Sequence, residues 1–361
     1  MTTKEKVLQQ LDAASGKSVS GQELAAICGI SRAAIWKAVN ALRTEGYDIE
    51  GTTNGGYILN DKDIFSTEIF TKTFSQNFQE FSECHIECFK EIDSTNTYAK
   101  RLLAECGNLR APDGSLTQAG KKYHKSIIIA EKQTAGRGRI GRTFVSPEKS
   151  GIYFTLIYAP KGGIKEPAKL TACTAVAVCR AIKKLYDYEP KIKWINDIFA
   201  NGKKICGIGT EGITNFESGQ IESAIIGIGL NIHQNKNAFS QELAKTVGSL
   251  EEAMAAQNNE KSKALNRCLL AAEISGQVLK IFKEDEKSPE NHFAIMEEYK
   301  KLSFLLGQEI TVFPLIGDAA SSYKAKATDI DQNAALIVTL ADGTTKTLNS
   351  GEVTLKSANF N

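Results

Sequence analysis

Two apolar segments, Ser126 to Ala130 and Gly151 to Ala159, flank the run Glu131-Lys132-Gln133-Thr134-Ala135-Gly136-Arg137-Gly138-Arg139-Ile140-Gly141-Arg142. Three glycines interleaved with three arginines suit a loop that wraps an anion. Glycine lets backbone N–H groups approach closely and takes φ > 0, and each guanidinium offers a planar fork to phosphate or carboxylate oxygens. The segment after the loop alternates and is rich in Tyr, Phe, Thr and Ile, which predicts a strand. The loop therefore joins two strands. Gly136, Gly138 and Gly141 fit GxGxxG by letter, but a dinucleotide fold needs that loop to open a helix. Gly16-Lys17-Ser18 ends like a Walker A loop, yet Leu11 stands where its first glycine belongs.

With 361 residues, 42% hydrophobic and 24% charged, the chain has room for two or three domains with a core. The opening Met1-Thr2-Thr3-Lys4-Glu5-Lys6 has no apolar core of a signal peptide, and no run is long enough to span a bilayer. The expectation is a cytoplasmic protein, no membrane contact, and eight cysteines that stay reduced. Cys84-His85-Ile86-Glu87-Cys88 lacks a second ligand pair at a zinc-like spacing. None of the four histidines lies beside a nucleophile motif, so hydrolase triads find no support and electrostatics is expected to carry the chemistry.

Read in order, residues 4–14 and 21–28 have helical periodicity, and Ser31 caps a third helix with Ile35, Val39 and Leu42 on one face. Arg32, Trp36, Lys37, Asn40 and Arg43 fall on the other. Tyr47 to Leu59 alternates around Asn54-Gly55, a hairpin signal, so the segment is a winged helix-turn-helix. Residues 1–60 hold six Lys and Arg against six Asp and Glu, so DNA binding by a single copy is expected to be weak and a dimer is needed. Residues 61–81 read as a short connector or helix leading into a second domain. An α/β (α+β) domain with a mixed, mostly antiparallel sheet follows, with strands near 84–90, 126–131, 151–159, 190–194, 203–213 and 221–230. Helices are expected at 95–106, 165–185, 262–283 and 289–302, and loops 107–125 and 248–261 as long and mobile. Short strands from Gln308 to Lys356 predict a small closing barrel.

Taken together, five motifs in order resemble one family, the bifunctional biotin protein ligases that also repress biotin operons. They follow the winged-helix segment Gly29-Ile30-Ser31-Arg32-Ala33-Ala34-Ile35-Trp36-Lys37 and are Asp93-Ser94-Thr95-Asn96, Gln133 to Arg139, Lys193-Trp194-Ile195-Asn196-Asp197, Lys204-Ile205-Cys206-Gly207 and Gly227-Ile228-Gly229-Leu230-Asn231. A barrel ending Gly351-Glu352-Val353-Thr354-Leu355 closes the match. The resemblance implies three domains: a winged helix-turn-helix (1–62), a catalytic domain similar to class II synthetases (63–304) and an SH3-like barrel (305–361). It also implies an ATP-dependent reaction in which biotin becomes biotinyl-5′-AMP and is then transferred to a lysine of a carrier protein.

On this resemblance Arg137, Arg139, Arg142 and Lys204 grip the carboxylate and α-phosphate. Ser94, Thr95, Asn96, Gln133, Gly138, Gly227 and Gly229, with Arg137, Arg139 and Lys204, bind biotin. Arg142, Phe144, Asn196, Asp197 and Asn231 face the nucleotide and its Mg²⁺, with no metal ligand assigned. Ser31, Arg32, Ala33, Trp36, Lys37 and Asn40 read operator DNA, and the adenylate-filled protein forms a homodimer. Phe144 stands where many members have tryptophan, and Ile195 replaces a usual proline, which is expected to loosen the turn before Asp197. The rivals are a lipoate-type ligase, which lacks this loop and the winged helix, and a biotin sensor, which would not need to grip a phosphoryl group.

Overall fold

A computed structural model of the chain describes residues 2–355 apart from 15, 45–46, 53–54, 62–64, 216–217, 236–237, 258–263 and 315–319. At the N-terminus α1 (Thr3–Ala13) is opened by a capping box between Thr2 and Glu5, and α2 (Gly21–Cys28) by Ser20. Gly29, at φ 68°, ends α2 in the left-handed conformation, and the Ser31 hydroxyl accepts the Ala34 N–H at 3.2 Å to start α3 (Arg32–Thr44). Ile35, Ala38, Val39 and Leu42 pack onto Val7, Leu11 and Leu24. Strands β1 (Asp48–Thr52) and β2 (Gly56–Asp61) pair as the antiparallel wing. Asn54, half of the expected turn, lies outside the described residues.

Of the two readings of the segment after the wing, connector or helix, the described residues show mostly helix. In α4 (Thr67–Asn77) Phe70 and Phe74 stack, Phe74 stacks on Phe78, and all three are buried in the central core. A helix there follows from the i, i+4 spacing of these aromatics, which puts them on one face. Beyond it come β3 (Ile86–Ile92), α5 (Thr95–Cys106), α6 (Gln118–Tyr123), β4 (Ile127–Gln133), β5 (Gly151–Tyr158) and α7 (Pro167–Tyr186). Then follow β6 (Lys191–Lys193), β7 (Asp197–Ala200), β8 (Lys203–Thr214), β9 (Ile221–Asn231), α8 (Leu250–Ala255), α9 (Arg267–Lys287) and α10 (Pro289–Leu302). The seven strands form one sheet in the order β3-β4-β5-β9-β8-β7-β6, parallel only between β3 and β4.

The described parts of both stretches expected as mobile loops carry a helix, residues 258–261 lying outside the described residues. Residues 107–125 contain α6 and the buried Leu109, and α8 buries Leu250, Ala253 and Met254. Polar composition hid both, because each segment spends only two or three apolar side chains on the core. One face of the sheet packs on α4, α7, α9 and α10, and the other on α5.

His124 follows α6, packs against Tyr158, and its Nδ1 accepts the Ala159 N–H at 3.1 Å. Burial, with the Lys125 and Arg110 charges adding to it, pushes its pKa down to about 3. A pKa lower in the folded than in the unfolded chain means protons bind the unfolded state first, so stability falls as pH drops from about 6.5 towards 3. At pH 5 the loss is roughly 2 kcal/mol. His124→Asn, which keeps an acceptor for Ala159, should flatten that part of the pH dependence in urea titrations at pH 7.5 and pH 5.

The chain closes with β10 (Glu309–Phe313), β11 (Tyr323–Ile330), β12 (Leu336–Thr339), β13 (Thr345–Leu348) and β14 (Glu352–Leu355), ordered β13-β12-β11-β10-β14. Among the described residues β13 and β14 do not pair, so the ladder expected to close into a barrel is an open antiparallel sheet. Ile310, Val312, Ala327 and Val338 are continuous with the central core. The Trp194 indole N–H donates to Ala334 O at 2.7 Å, and Tyr299 Oη donates to Ile195 O at 3.1 Å. The turn expected to be loosened by Ile195 is tied from both sides.

Candidate functional site

Strands have period two, so Tyr153, Thr155 and Ile157 of β5, Gly207 to Ile213 of β8 taken alternately, and Ile225, Gly227 and Gly229 of β9 lie on the sheet face that carries α5. Across that face the register sets Thr155 beside Gly227 and Gly227 beside Gly209, and in the next row Tyr153 beside Gly229 and Gly229 beside Gly207. Four glycines thus occupy the middle of a sheet where a core would place large side chains. The space is used: a Cβ on Gly227 would lie 2.4 Å from Asn96 Oδ1, and one on Gly229 2.5 Å from Phe144 Cζ. The floor is bare backbone, and Asn96 and Phe144 lie directly on it.

At one end of this floor the start of α5 meets β4. The Thr95 N–H and hydroxyl both approach Gln133 Oε1, at 2.9 and 3.2 Å, while Gln133 Nε2 donates to Ser146 Oγ at 2.8 Å. Thr155 Oγ1 lies 2.6 Å from Asn96 Oδ1, and Asn96 Nδ2 donates to Glu211 Oε1 at 3.1 Å. These bonds fix both side-chain amides, so the rim presents a set pattern of donors and acceptors. Ser94 is buried, its hydroxyl caps α5 at Thr97 N, and it lines the small cavity over this floor.

The opposite end is charged. The arginine loop is a small hairpin: Gln133 N–H donates to Ser146 O, Phe144 N–H to Gly136 O and Gly138 N–H to Arg142 O, with a 3₁₀ turn at Arg139–Gly141. Arg139 reaches inward, and its Nη1 donates to Asn196 Oδ1 at 2.7 Å, while Asn196 Nδ2 holds Ile208 O at 3.0 Å. Lys204 Nζ lies 2.6 Å from Asp197 Oδ1, a buried oxygen with no aligned hydrogen bond. Burial lowers the pKa of Lys193, and Asp197 acts against that shift.

Arg139, Lys204, Asn196 and Asp197 therefore converge; Arg137 is exposed but lines the same small cavity, and Arg142 is exposed at the edge of the larger one. Arg142 forms a two-pronged ion pair with Glu352 of β14, at 3.1 and 2.9 Å, and that guanidinium holds the Glu352 carboxyl below its usual range. Asn231 is buried and its amide holds Gly248 O at 3.2 Å.

Two cavities meet at Phe144, Arg139, Asn196 and Lys204. A small one of about 70 Å³ runs over the glycine floor past Ser94, Thr95, Asn96 and Gln133. A larger one of about 770 Å³ is lined by Arg142, Lys193, Trp194, Asp197, Asn231 and the turn before β14. Among the described residues no three His, Cys, Asp or Glu side chains converge as a metal cage. In the winged domain Ser31, Arg32, Ala33, Trp36 and Lys37 are exposed and Asn40 is half-buried, so the expected DNA-reading set shares one face, with the indole of Trp36 57% exposed.

Sequence reasoning missed Thr155, Ser146, Glu211 and Gly209, and gave no site role to Lys193, Gly207 and Glu352, which stood only inside the quoted motifs. Thr155 had a signal, as the polar residue central to a strand buried throughout. Gly207-Ile208-Gly209 repeats the spacing of Gly227-Ile228-Gly229 in the next strand, which was legible as a shared floor. Glu352 had none, since only the fold brings it to Arg142.

The sequence profile of the Biotin/lipoate A/B protein ligase family matches residues 113–231, and that of an HTH domain matches residues 3–58. The bifunctional ligase/repressor BirA of Bacillus subtilis is 33% identical over 274 residues, 75% of this chain and 78% of that protein. BirA of Escherichia coli is 27% identical over 345 residues, 96% of this chain and 95% of its own length. The biotin protein ligase of Aquifex aeolicus, solved with biotin and ATP, superposes with a TM-score of 0.58 at 20% identity, over 75% of this chain and 98% of that one.

Proposed function

The chain belongs to the family of bifunctional biotin ligase/repressors, and from that premise we propose how its site makes and holds biotinyl-5′-AMP. It is an ATP-dependent biotin protein ligase and a repressor with a DNA-binding helix-turn-helix. The observation that carries the mechanism is the glycine floor, bounded by hydrogen-bonding amides at one end and by Arg139 and Lys204 at the other.

Biotin lies on the floor with its ring end against Thr95, Asn96 and Gln133, and its carboxylate at Arg139 and Lys204. ATP enters the larger cavity. A carboxylate oxygen attacks the α-phosphorus, the bond to pyrophosphate breaks, and a mixed anhydride forms. The two anions repel, so the cations must hold both and offset the charge that grows on the phosphoryl oxygens. The carrier lysine amine then attacks the anhydride carbonyl, the acyl–phosphate C–O bond breaks, and AMP leaves. Phe144, lining both cavities, stacks against the adenylate. Mg²⁺ supplies charge neutralisation on the phosphates. With one buried carboxylate oxygen in the cavity, the protein would hold it through Asp197 and the neighbouring Asn196, the ATP oxygens doing the rest.

We assign the three domains to 1–62, 63–304 and 305–361, the last an SH3-like module whose Glu352 borders the nucleotide cavity. No helix among the described residues is long and apolar enough to cross a membrane, and the proposed location is the cytoplasm. The adenylate-filled protein is proposed to dimerise, because one winged domain without excess positive charge binds phosphate weakly. Biotin-dependent exchange of labelled pyrophosphate into ATP tests the first step, and absence of exchange would overturn it. A Trp36→Ala, Lys37→Ala variant should exchange at the wild-type rate but lose about tenfold or more in operator affinity by mobility shift. Unchanged affinity would remove α3 as the reading helix.

A further inference from the structure

Arg267 is 1% exposed and is the first residue of α9, where its charge adds to the positive end of the helix dipole. Nothing in the chemistry above uses it. Glu131 neutralises it, with Nη1 to Oε1 at 2.6 Å and Nη2 to Oε2 at 3.3 Å. Glu131 Oε1 also accepts the Lys149 N–H at 2.7 Å, and Arg267 Nη1 also donates to Gly151 O at 3.2 Å. Glu131 lies two residues before Gln133, where the arginine hairpin leaves β4, and Lys149 and Gly151 lie where it returns to β5. Both stems of the hairpin are therefore tied to one buried ion pair.

Against the guanidinium, with its carbon 5.2 Å from the ring centroid, lies Phe65 at the entry to α4. Helix α4 in turn meets the winged domain through Lys72 with Glu5 and Glu68 with Lys4. The same guanidinium thus touches the stems of the ligand loop and the segment that leads from the DNA-reading domain. Buried charges are costly unless held in good geometry, so this contact has few alternative arrangements.

We propose that Arg267 and Glu131 are a positioning pair that sets the arginine hairpin in its ligand-gripping geometry and couples it, through Phe65, to the start of the DNA-reading domain. The proposal rests on the ligase assignment. Its variant is Glu131→Gln with Arg267→Met, which removes both charges and leaves neither orphaned. Two readouts are made on full-length protein: release of labelled biotinyl-5′-AMP, and tryptic cleavage after Arg137, Arg139 and Arg142, with and without adenylate. We expect release and cleavage both to quicken about tenfold. Arg180→Met, which breaks the Arg180–Glu298 pair between α7 and α10, should lower thermal stability and change neither.

A folded double variant with wild-type release and wild-type tryptic protection overturns the proposal. If the double variant does not fold, Phe65→Leu, which keeps bulk but removes the ring face, should still accelerate release two- to fivefold, and an unchanged rate overturns it equally. Failure of wild type to form adenylate would count against the ligase assignment instead, and faster cleavage of the unliganded double variant would still uphold the positioning role.

Discussion

Arg139→Ala is expected to slow adenylate formation about 10²- to 10³-fold, the loss seen when one preorganised donor to a developing oxyanion is removed. Arg139 is half-buried and its Nη1 lies 2.7 Å from Asn196 Oδ1, beside the small cavity that Lys204 and the more exposed Arg137 also line. The same change should shorten retention of adenylate, since the guanidinium is withdrawn from both the carboxyl and the phosphoryl oxygens. Arg142→Ala should cost less, because Arg142 is exposed and already committed to Glu352. Single-turnover pyrophosphate release separates the two. Equal losses at Arg139 and Arg142 would mean that the hairpin turns in the reactive complex and that the inward arginine is not fixed by its present fold.

The second large effect is steric. Gly227→Val should raise the KM for biotin about 10- to 100-fold, with little change in the KM for ATP, as expected for overpacking of a tight site. A Cβ at 227 meets the Asn96 amide at 2.4–2.9 Å, and Asn96 cannot turn aside without losing Thr155 on one side and Glu211 on the other. Paired steady-state titrations of biotin and ATP measure the split. Equal rises in both KM values would place the floor under the nucleotide rather than under biotin.

Much of this was legible along the chain. Capping serines, Gly29 and the apolar stripe of α3 are local signals, so the helix-turn-helix emerged with its exposed face correct. The strand–loop–strand frame of the arginine hairpin follows from composition alone. The interior of the site was less legible, because its parts come from distant strands. Ser94 was expected among the ligand residues, and the fold shows its buried hydroxyl capping α5 while the residue lines the small cavity. Three arginines looked alike by letter, and only the hairpin's path decides that Arg139 points in while Arg142 meets a carboxylate 210 residues away. Helices α6 and α8 were hidden for a different reason: each sits in polar sequence, and tertiary packing rather than periodicity selects it.

In the proposed mechanism Arg139 and Lys204, at one end of a glycine floor, drive ATP-dependent transfer of biotin to a carrier lysine. Its most direct test is transfer of labelled biotin to a purified carrier domain with ATP and Mg²⁺, comparing wild type with Arg139→Ala and Lys204→Ala. Rapid labelling by wild type and loss of at least about a hundredfold in each folded variant is the expected result. Transfer at wild-type rates by both variants would contradict the account, as would a folded wild type that binds biotin and transfers none.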